Sequence, residues 1–532
     1  MFKCKNCSGD LVLDVKGSIL KCPYCGGTFP VSEYETMDEV KEQEGFGDDT
    51  YETTIYTCTT CGAELASTDS TAVTFCSYCG TQAILEGRLS RERKPRFVVP
   101  FIKNKEDCKK IYSEKAKKEP YAPKEFTDPE FLEGFRGIYM PYWELDVGFD
   151  NEPVLKVVDT YTSGNYDYTD TYNVQPKLKK LNIPVPRDAS SAFDDQIASE
   201  IAPFHKEKMK EFNPAFLAGF FTDTADVDHT VYREQALSAA EDLVISNVKK
   251  DFRGSATVTL PNDLQKRNEL FGTKIREAHL NLFPVWFLTW RKGDRLAYGV
   301  INGENGKMSA EIPVDIKKFL MTSGIIALII FIITNLLSVL VLPHALLQLS
   351  ACAALIIQCF YAKEIISVRD RETHANDIGS LSGEALKKAK FDFIKGKSKS
   401  RNTLLTIIMS IAAIGSIAIG ITSKFSRDSS LAGCFFTFAG GVVIYLISLK
   451  PLSTVREKRM KLVSLLPPVS EFIALYTLAT NTIEDWKIYI GSALSMIVCL
   501  IVALLMIMDY NLLTTRSIPE FHNRKGGNRD AG

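Results

Sequence analysis

The chain has 532 residues, too long for one hydrophobic core and enough for three or more units. Its formal net charge is −1, which excludes a global field that would recruit nucleic acid or another polyanion. Thirteen cysteines are few for this length, and eight of them fall within the first 79 residues.

The amino end, MFKC, lacks the charged-then-apolar pattern of a secretory signal peptide, so it is expected to stay in the cytoplasm. Cysteine pairs in that compartment bind metal more often than they form disulfides. Cys4, Cys7, Cys22 and Cys25 read C-x2-C-x14-C-x2-C, and Cys58, Cys61, Cys76 and Cys79 repeat the pattern 54 residues later. Two residues between cysteines let a tight turn aim both sulfurs at one ion, and four thiolates complete a tetrahedral zinc. The spacing therefore predicts tandem Cys4 zinc ribbons at 1–30 and 55–87, each holding one structural Zn²⁺, with iron open because S4 sites accept both. Neither quartet includes a His, an Asp or an open position, which makes both sites closed and structural. About thirty residues bury little core, so the metal supplies the missing folding free energy.

Charge argues against a nucleic-acid role for the ribbons. The second ribbon has no Lys or Arg from Ile55 to Glu86, and the linker at 31–54 is acidic, with nine carboxylates against Lys41. A basic linker at 88–96, with Arg88, Arg91, Arg93, Lys94 and Arg96, keeps nucleic acid as an alternative partner, although a solvated segment explains it better.

From 97 to 315 the composition turns globular and predicts an α+β cytosolic domain. YTSGNYDYTDTYNV (161–174) reads as a hairpin with one wet face, turning at Ser163-Gly164-Asn165. The stretches 194–212 and 234–252 have amphipathic helical spacing. Residues 283–313 read as three strands with turns at Lys292-Gly293-Asp294 and at 303–306. Pro-x-Trp-x-Leu occurs at both 141–145 and 284–288, and Trp143 and Trp286 present either core packing or an aromatic ligand slot. There is no H-E-x-x-H, G-x-x-x-x-G-K-[ST] or G-x-S-x-G motif, and His205, His229 and His279 are scattered in sequence. Cys108 stands among lysines that lower a thiol pKa, but without an assigned base it makes no active site. The chain therefore reads as non-enzymatic.

The two quartets, together with AFLAGFFTD (215–223) and the Pro284, Trp286, Asn302, Gly303 and Gly306 pattern, make residues 1–340 resemble bacterial double zinc-ribbon membrane proteins. These are often named after the zinc-binding region of the primosomal helicase. The helicase name does not carry over, because no nucleotide-binding loop is present. Some similar proteins are encoded beside membrane-stress or flotillin-like scaffolding proteins. The resemblance thus implies an adaptor with such a protein partner at the bilayer. This chain departs from the pattern in its larger membrane region.

A membrane span takes about 20 mainly apolar residues. The stretches 319–342, 345–362, 403–421, 431–449 and 488–508 qualify, and 462–480 is a sixth candidate despite Pro467-Pro468 and Glu471, whose carboxylate costs about 3 kcal/mol mid-membrane. An α-helical transmembrane bundle of 5–6 helices over 319–508 is expected, with a polar tail at 509–532. The lysine-rich loop at 387–401 (Lys387, Lys388, Lys390, Lys395, Lys397, Lys399, Arg401) sets that loop and the ribbons on the cytoplasmic side and is a candidate contact for anionic lipid. Small residues at four-residue steps (Ala412, Ser416, Gly420; Gly433, Thr437, Gly441) predict close helix packing. Few ionisable residues fall within the spans, so a transporter with a regulatory zinc arm ranks below an adaptor.

Overall fold

The computed structural model describes residues 2–34, 50–67, 75–81, 86–252, 255–336, 343–373, 377–381, 383–394, 426–455, 457–480, 484–519 and 521, with single positions at 411, 414, 415 and 418. Two long strands carry the architecture. Arg136–Phe149 and Thr273–Lys292 run antiparallel, from Phe149 opposite Thr273 to Arg136 opposite Phe287, with one irregularity between Ile275 and Glu277. Both are apolar on successive residues through their middle, as strands covered on two faces must be. They lie at the centre of a twelve-stranded sheet among the described residues.

Side-chain alternation divides this sheet into two cores. Ile138, Met140, Tyr142, Phe283, Val285 and Phe287 face one side, where they meet all four cysteines of the second quartet. Tyr139, Leu282, Trp286 and Leu288 face the other, where they meet Cys4, Leu11, Leu13, Leu20 and Cys22 of the first. The duplicated ribbons thus sit on opposite faces of one sheet.

The second ribbon is also part of that sheet. Its strand Glu64–Ser67 pairs with Phe221–Asp223, which pairs in turn with Ile138 and Tyr139 of the first central strand. Thr50–Thr57 joins Glu64–Ser67 on its other side and then Glu86–Arg93. The stretches read as linkers at 31–54 and 88–96 therefore contribute strand residues, and Arg88 and Arg91 pair with Glu64 and Glu52.

The turns at 292–294 and 303–306 join Thr273–Lys292, Arg295–Asn302 and Met308–Ala310 as expected. Arg233–Lys250 is helical as its spacing predicts, but 194–212 divides into the helix Asp195–Ile201, a 3-10 turn at Lys206–Lys208 and the short strand Lys210–Glu211. Pro203 accounts for the difference, since it lacks the amide a helix needs and pushes the residue before it out of helical geometry. The two Pro-x-Trp-x-Leu segments meet head to head, with Met140 opposite Phe283. Trp143 lies opposite Leu280 and Trp286 opposite Gly137, six residues or about 20 Å apart along the strand. They form no shared slot. Each indole N–H donates to a backbone carbonyl, Trp143 to Val227 at 2.7 Å and Trp286 to Lys103 at 2.8 Å.

Four helices among the described residues are long and apolar enough to cross a membrane: Pro343–Glu372, Arg427–Thr454, Lys458–Ala479 and Asp485–Leu513. The third is broken into Lys458–Val463 and Leu466–Ala479, with proline in the first turn of the second piece, where a missing amide is harmless. The stretch 319–342 is helical within Ile316–Leu336 and continues outside the described residues, as 403–421 does almost entirely. Pro343–Glu372 packs against the other three helices. Gly433, Thr437 and Gly441 are covered where Arg427–Thr454 meets its neighbours, while Ala412, Ser416 and Gly420 lie outside the described residues.

Two candidate metal centres and the joint with the helical bundle

The four sulfurs of each quartet lie within 4.8 Å of one another. Cys4 and Cys25 are 3.5 Å apart, as are Cys7 and Cys22, while Cys58–Cys79 and Cys61–Cys76 are both 3.7 Å. A tetrahedral ion with metal–sulfur bonds of about 2.3 Å sets its sulfurs about 3.8 Å apart, so both clusters fit one metal each. All four turns close alike. The amides of Ser8, Gly26, Gly62 and Gly80 donate to the carbonyls of Cys4, Cys22, Cys58 and Cys76. These four residues have φ between 59° and 77°, a region that glycine enters without strain.

The duplication is symmetric in sequence and asymmetric in burial. Cys58, Cys61, Cys76 and Cys79 are all covered, whereas Cys7 and Cys25 are exposed. Tyr24 and Tyr78 occupy the same place in the repeat, yet Tyr24 is 76% exposed and Tyr78 0%. The Tyr78 hydroxyl donates to Asp223 Oδ2 at 2.6 Å, and its carbonyl accepts from the Tyr298 hydroxyl at 2.6 Å. Burial and the Asp223 carboxylate push the Tyr78 phenol well above its ordinary range, so it stays a neutral donor. Thr289 donates to the Ser77 carbonyl, and Arg291 to Cys79 O and Thr81. The absence of Lys and Arg thus goes with burial at 61–67 and 76–79.

The first ribbon docks through a smaller joint. Leu13 N–H donates to Ala218 O at 3.0 Å, and a Cβ on Gly219, whose φ is +83°, would stand 2.5 Å from Val12 Cγ1. This is the glycine of AFLAGFFTD. Gly219→Ala is expected to cost roughly 1–3 kcal/mol of docking through backbone strain and overlap. A chelator should then strip the first metal several-fold faster, with the second unchanged, as followed by a colorimetric zinc indicator.

The sheet is joined to the helical bundle by charge. Arg516, just beyond Asp485–Leu513, lies 2.5 Å from Glu311 and 3.2 Å from Asp194, and its guanidinium covers the Tyr298 ring. Burial disfavours its charge, but Glu311 and Asp194 outweigh that and hold it above its usual range. Arg371 pairs with the same Glu311. Arg295 donates to the carbonyls of Leu512 and Thr515, and Arg516–Ser517 adds a short strand beside Arg295–Asn302. Phe521 N–H donates to Cys61 O at 2.7 Å, and its ring meets Tyr78.

A second joint holds the segment after Pro343–Glu372. Ile378 N–H donates to Asp195 Oδ2 at 2.7 Å, and Lys390 donates to Thr230 O at 3.1 Å, while Lys395 to Arg401 lie outside the described residues. Asp188 is buried beside Asp195. Burial first, and then the Asp195 carboxylate, hold its carboxyl well above the ordinary carboxylate range. A raised folded pKa favours the neutral acid, so the stabilisation is complete below the unfolded pKa and is lost as pH rises toward the folded value, at about 1.4 kcal/mol per pH unit. Once the intrinsic base-catalysed rise in amide exchange is divided out, protection at 377–394 is therefore expected to fall with rising pH in the wild type and to fall less in Asp188→Asn.

Sequence reasoning identified neither joint. Its remaining candidates stay apart: His205 pairs with Glu304, His229 packs on Trp143, and His279 pairs with Glu277 beside Arg96. Cys108 is buried, which pushes its thiol up, opposite to the effect expected from its lysines.

No family model matches the chain, and no solved structure matches it. It is 27% identical over 319 residues to the uncharacterized protein YdjG of Bacillus subtilis (strain 168), covering 59% of this chain and 90% of that protein.

Proposed function

We propose that the chain is an adaptor of the cytoplasmic membrane that holds two zinc ribbons and their sheet at the bilayer to recruit a protein partner. One observation carries the reading. The hairpin Leu155–Ser163 and Tyr166–Val174 ends in an edge strand that is exposed along most of its length on both faces, with Tyr166, Tyr168 and Tyr172 at 72%, 44% and 42% exposure. One wet face was expected, and two are present. A strand that contributes so little to its own core, yet presents tyrosines and a backbone edge that no described strand pairs, suits addition of a partner's extended segment.

Zinc suits the closed all-sulfur sites better than metals that favour oxygen donors. Six spans support the topology better than five, because the tail beyond Leu513 and the 377–394 segment both pack on the sheet domain, and an even number of crossings returns the tail to that side. The lysines of 387–401 favour the cytoplasmic side and suit contact with anionic lipid. Membrane-stress and flotillin-like scaffolds are the partner class that the family resemblance suggests.

A photo-crosslinking residue in place of Tyr168, irradiated in native membranes, tests the role. A discrete protein adduct that disappears when Tyr166 and Tyr172 are changed to Lys is expected. Recovery of the chain alone would contradict it.

A further inference from the structure

The bundle buries polar groups that topology and lipid contact leave unexplained. Glu471, on Leu466–Ala479, is 0% exposed, and neither carboxylate oxygen has a hydrogen-bond partner among the described residues. Gln358, on Pro343–Glu372, is also buried, and its Nε2 donates to Gly441 O at 2.9 Å. That bond fixes the amide, because swapping its ends would set oxygen against a carbonyl. Gln358 Oε1 is left without a donor among the described residues.

The two side chains converge. A Cβ built on Gly441 would overlap Glu471 Oε2 and lie 2.8 Å from Gln358 Oε1, so both oxygens border the same small space beside Arg427–Thr454. Both are acceptors. Among the described residues no lysine or arginine pairs with Glu471. The titratable groups that a charge on Glu471 would reach are the thiols Cys434 on Arg427–Thr454 and Cys499 on Asp485–Leu513. Ser470, next to Glu471, bonds instead to Ser495 at 2.7 Å. An ionised Glu471 would face an acceptor at a buried position among apolar helices, where unpaired charge is expensive. One proton on Glu471 resolves the conflict, since its O–H then donates and Gln358 Oε1 accepts.

We propose that Glu471, with Gln358 as its acceptor and Gly441 as the small residue that makes room, is an intramembrane proton-binding site. Binding a proton there ties Leu466–Ala479 to Pro343–Glu372, the helix whose end carries Arg371 to the sheet domain. Proton occupancy is thereby linked to bundle packing, independently of the adaptor role.

The test is an infrared difference spectrum between wild-type full-length protein and Glu471→Gln, both in lipid at neutral pH. The proposal predicts one protonated carboxyl carbonyl band per chain in the wild type that Glu471→Gln removes, with no matching loss of carboxylate bands. Loss of carboxylate bands, with the protonated-acid region unchanged, would overturn it. The chemistry can also be read without a variant, because dicyclohexylcarbodiimide adds across an undissociated carboxyl to leave an N-acylurea. Peptide mass spectrometry should find this adduct at Glu471 at neutral pH and at least tenfold less of it at strongly alkaline pH. A yield independent of pH would count against the site.

Discussion

Cys61→Ser is expected to abolish folding of the whole sheet domain, whereas Cys7→Ser should leave it folded with one metal. The cysteines of the second quartet belong to the same buried cluster as Met140, Phe283 and Phe287 of the central strands. A structural Cys4 site carries about 10–16 kcal/mol of metal-binding free energy, comparable with or larger than the 5–15 kcal/mol net stability of a typical domain. Losing it removes most of what holds Glu64–Ser67 against Phe221–Asp223, and the strand beyond loses its template. The first quartet supports only its own three-stranded sheet and one docking face. Soluble yield, near-ultraviolet circular dichroism and metal content separate the outcomes. Equal damage from both substitutions would mean that the difference in burial has no energetic consequence.

Arg516→Ala should detach the tail and loosen the bundle from the sheet. Removing one member of a buried, hydrogen-bonded charge pair costs about 3–5 kcal/mol, much of it the penalty of the partner left behind. Arg371 remains on Glu311 and within electrostatic reach of Asp194, so the lower end is expected for this network, with the Arg516–Asp194 ion pair and the cation over the Tyr298 ring lost. Limited proteolysis should cut between Thr514 and Phe521 at least tenfold faster in the variant. Glu311→Gln weakens both arginine contacts and should reproduce the effect. Unchanged cleavage in both would show that the joint does not hold the tail.

What could be read from the sequence follows the range of the interactions involved. The quartets were legible because a tetrahedral metal fixes cysteine spacing within about 25 residues, and the apolar helices because hydrocarbon demands length. The three strands of 283–313 were legible through their turns, with Gly293 and Gly306 both at positive φ. Pairings across long separations were not. Nothing local in Glu64–Ser67 announces Phe221–Asp223, and nothing in Arg516 announces Glu311. The absence of Lys and Arg from 55 to 86 was visible but ambiguous, because a surface that repels phosphate and a surface that is buried share that composition. Cys108 failed for a related reason. Neighbouring lysines are read from the sequence, whereas burial, which dominates its thiol, is not. The tryptophan repeat was seen correctly, but only the antiparallel register with Met140 opposite Phe283 reveals that the two rings diverge.

The most direct test of the central claim is the metal content of the purified full-length chain, measured by inductively coupled plasma mass spectrometry beside the Cys7→Ser variant. Two zinc ions per chain in the wild type and one in the variant are expected. A wild-type chain that folds and inserts with neither zinc nor iron at stoichiometric level would contradict it.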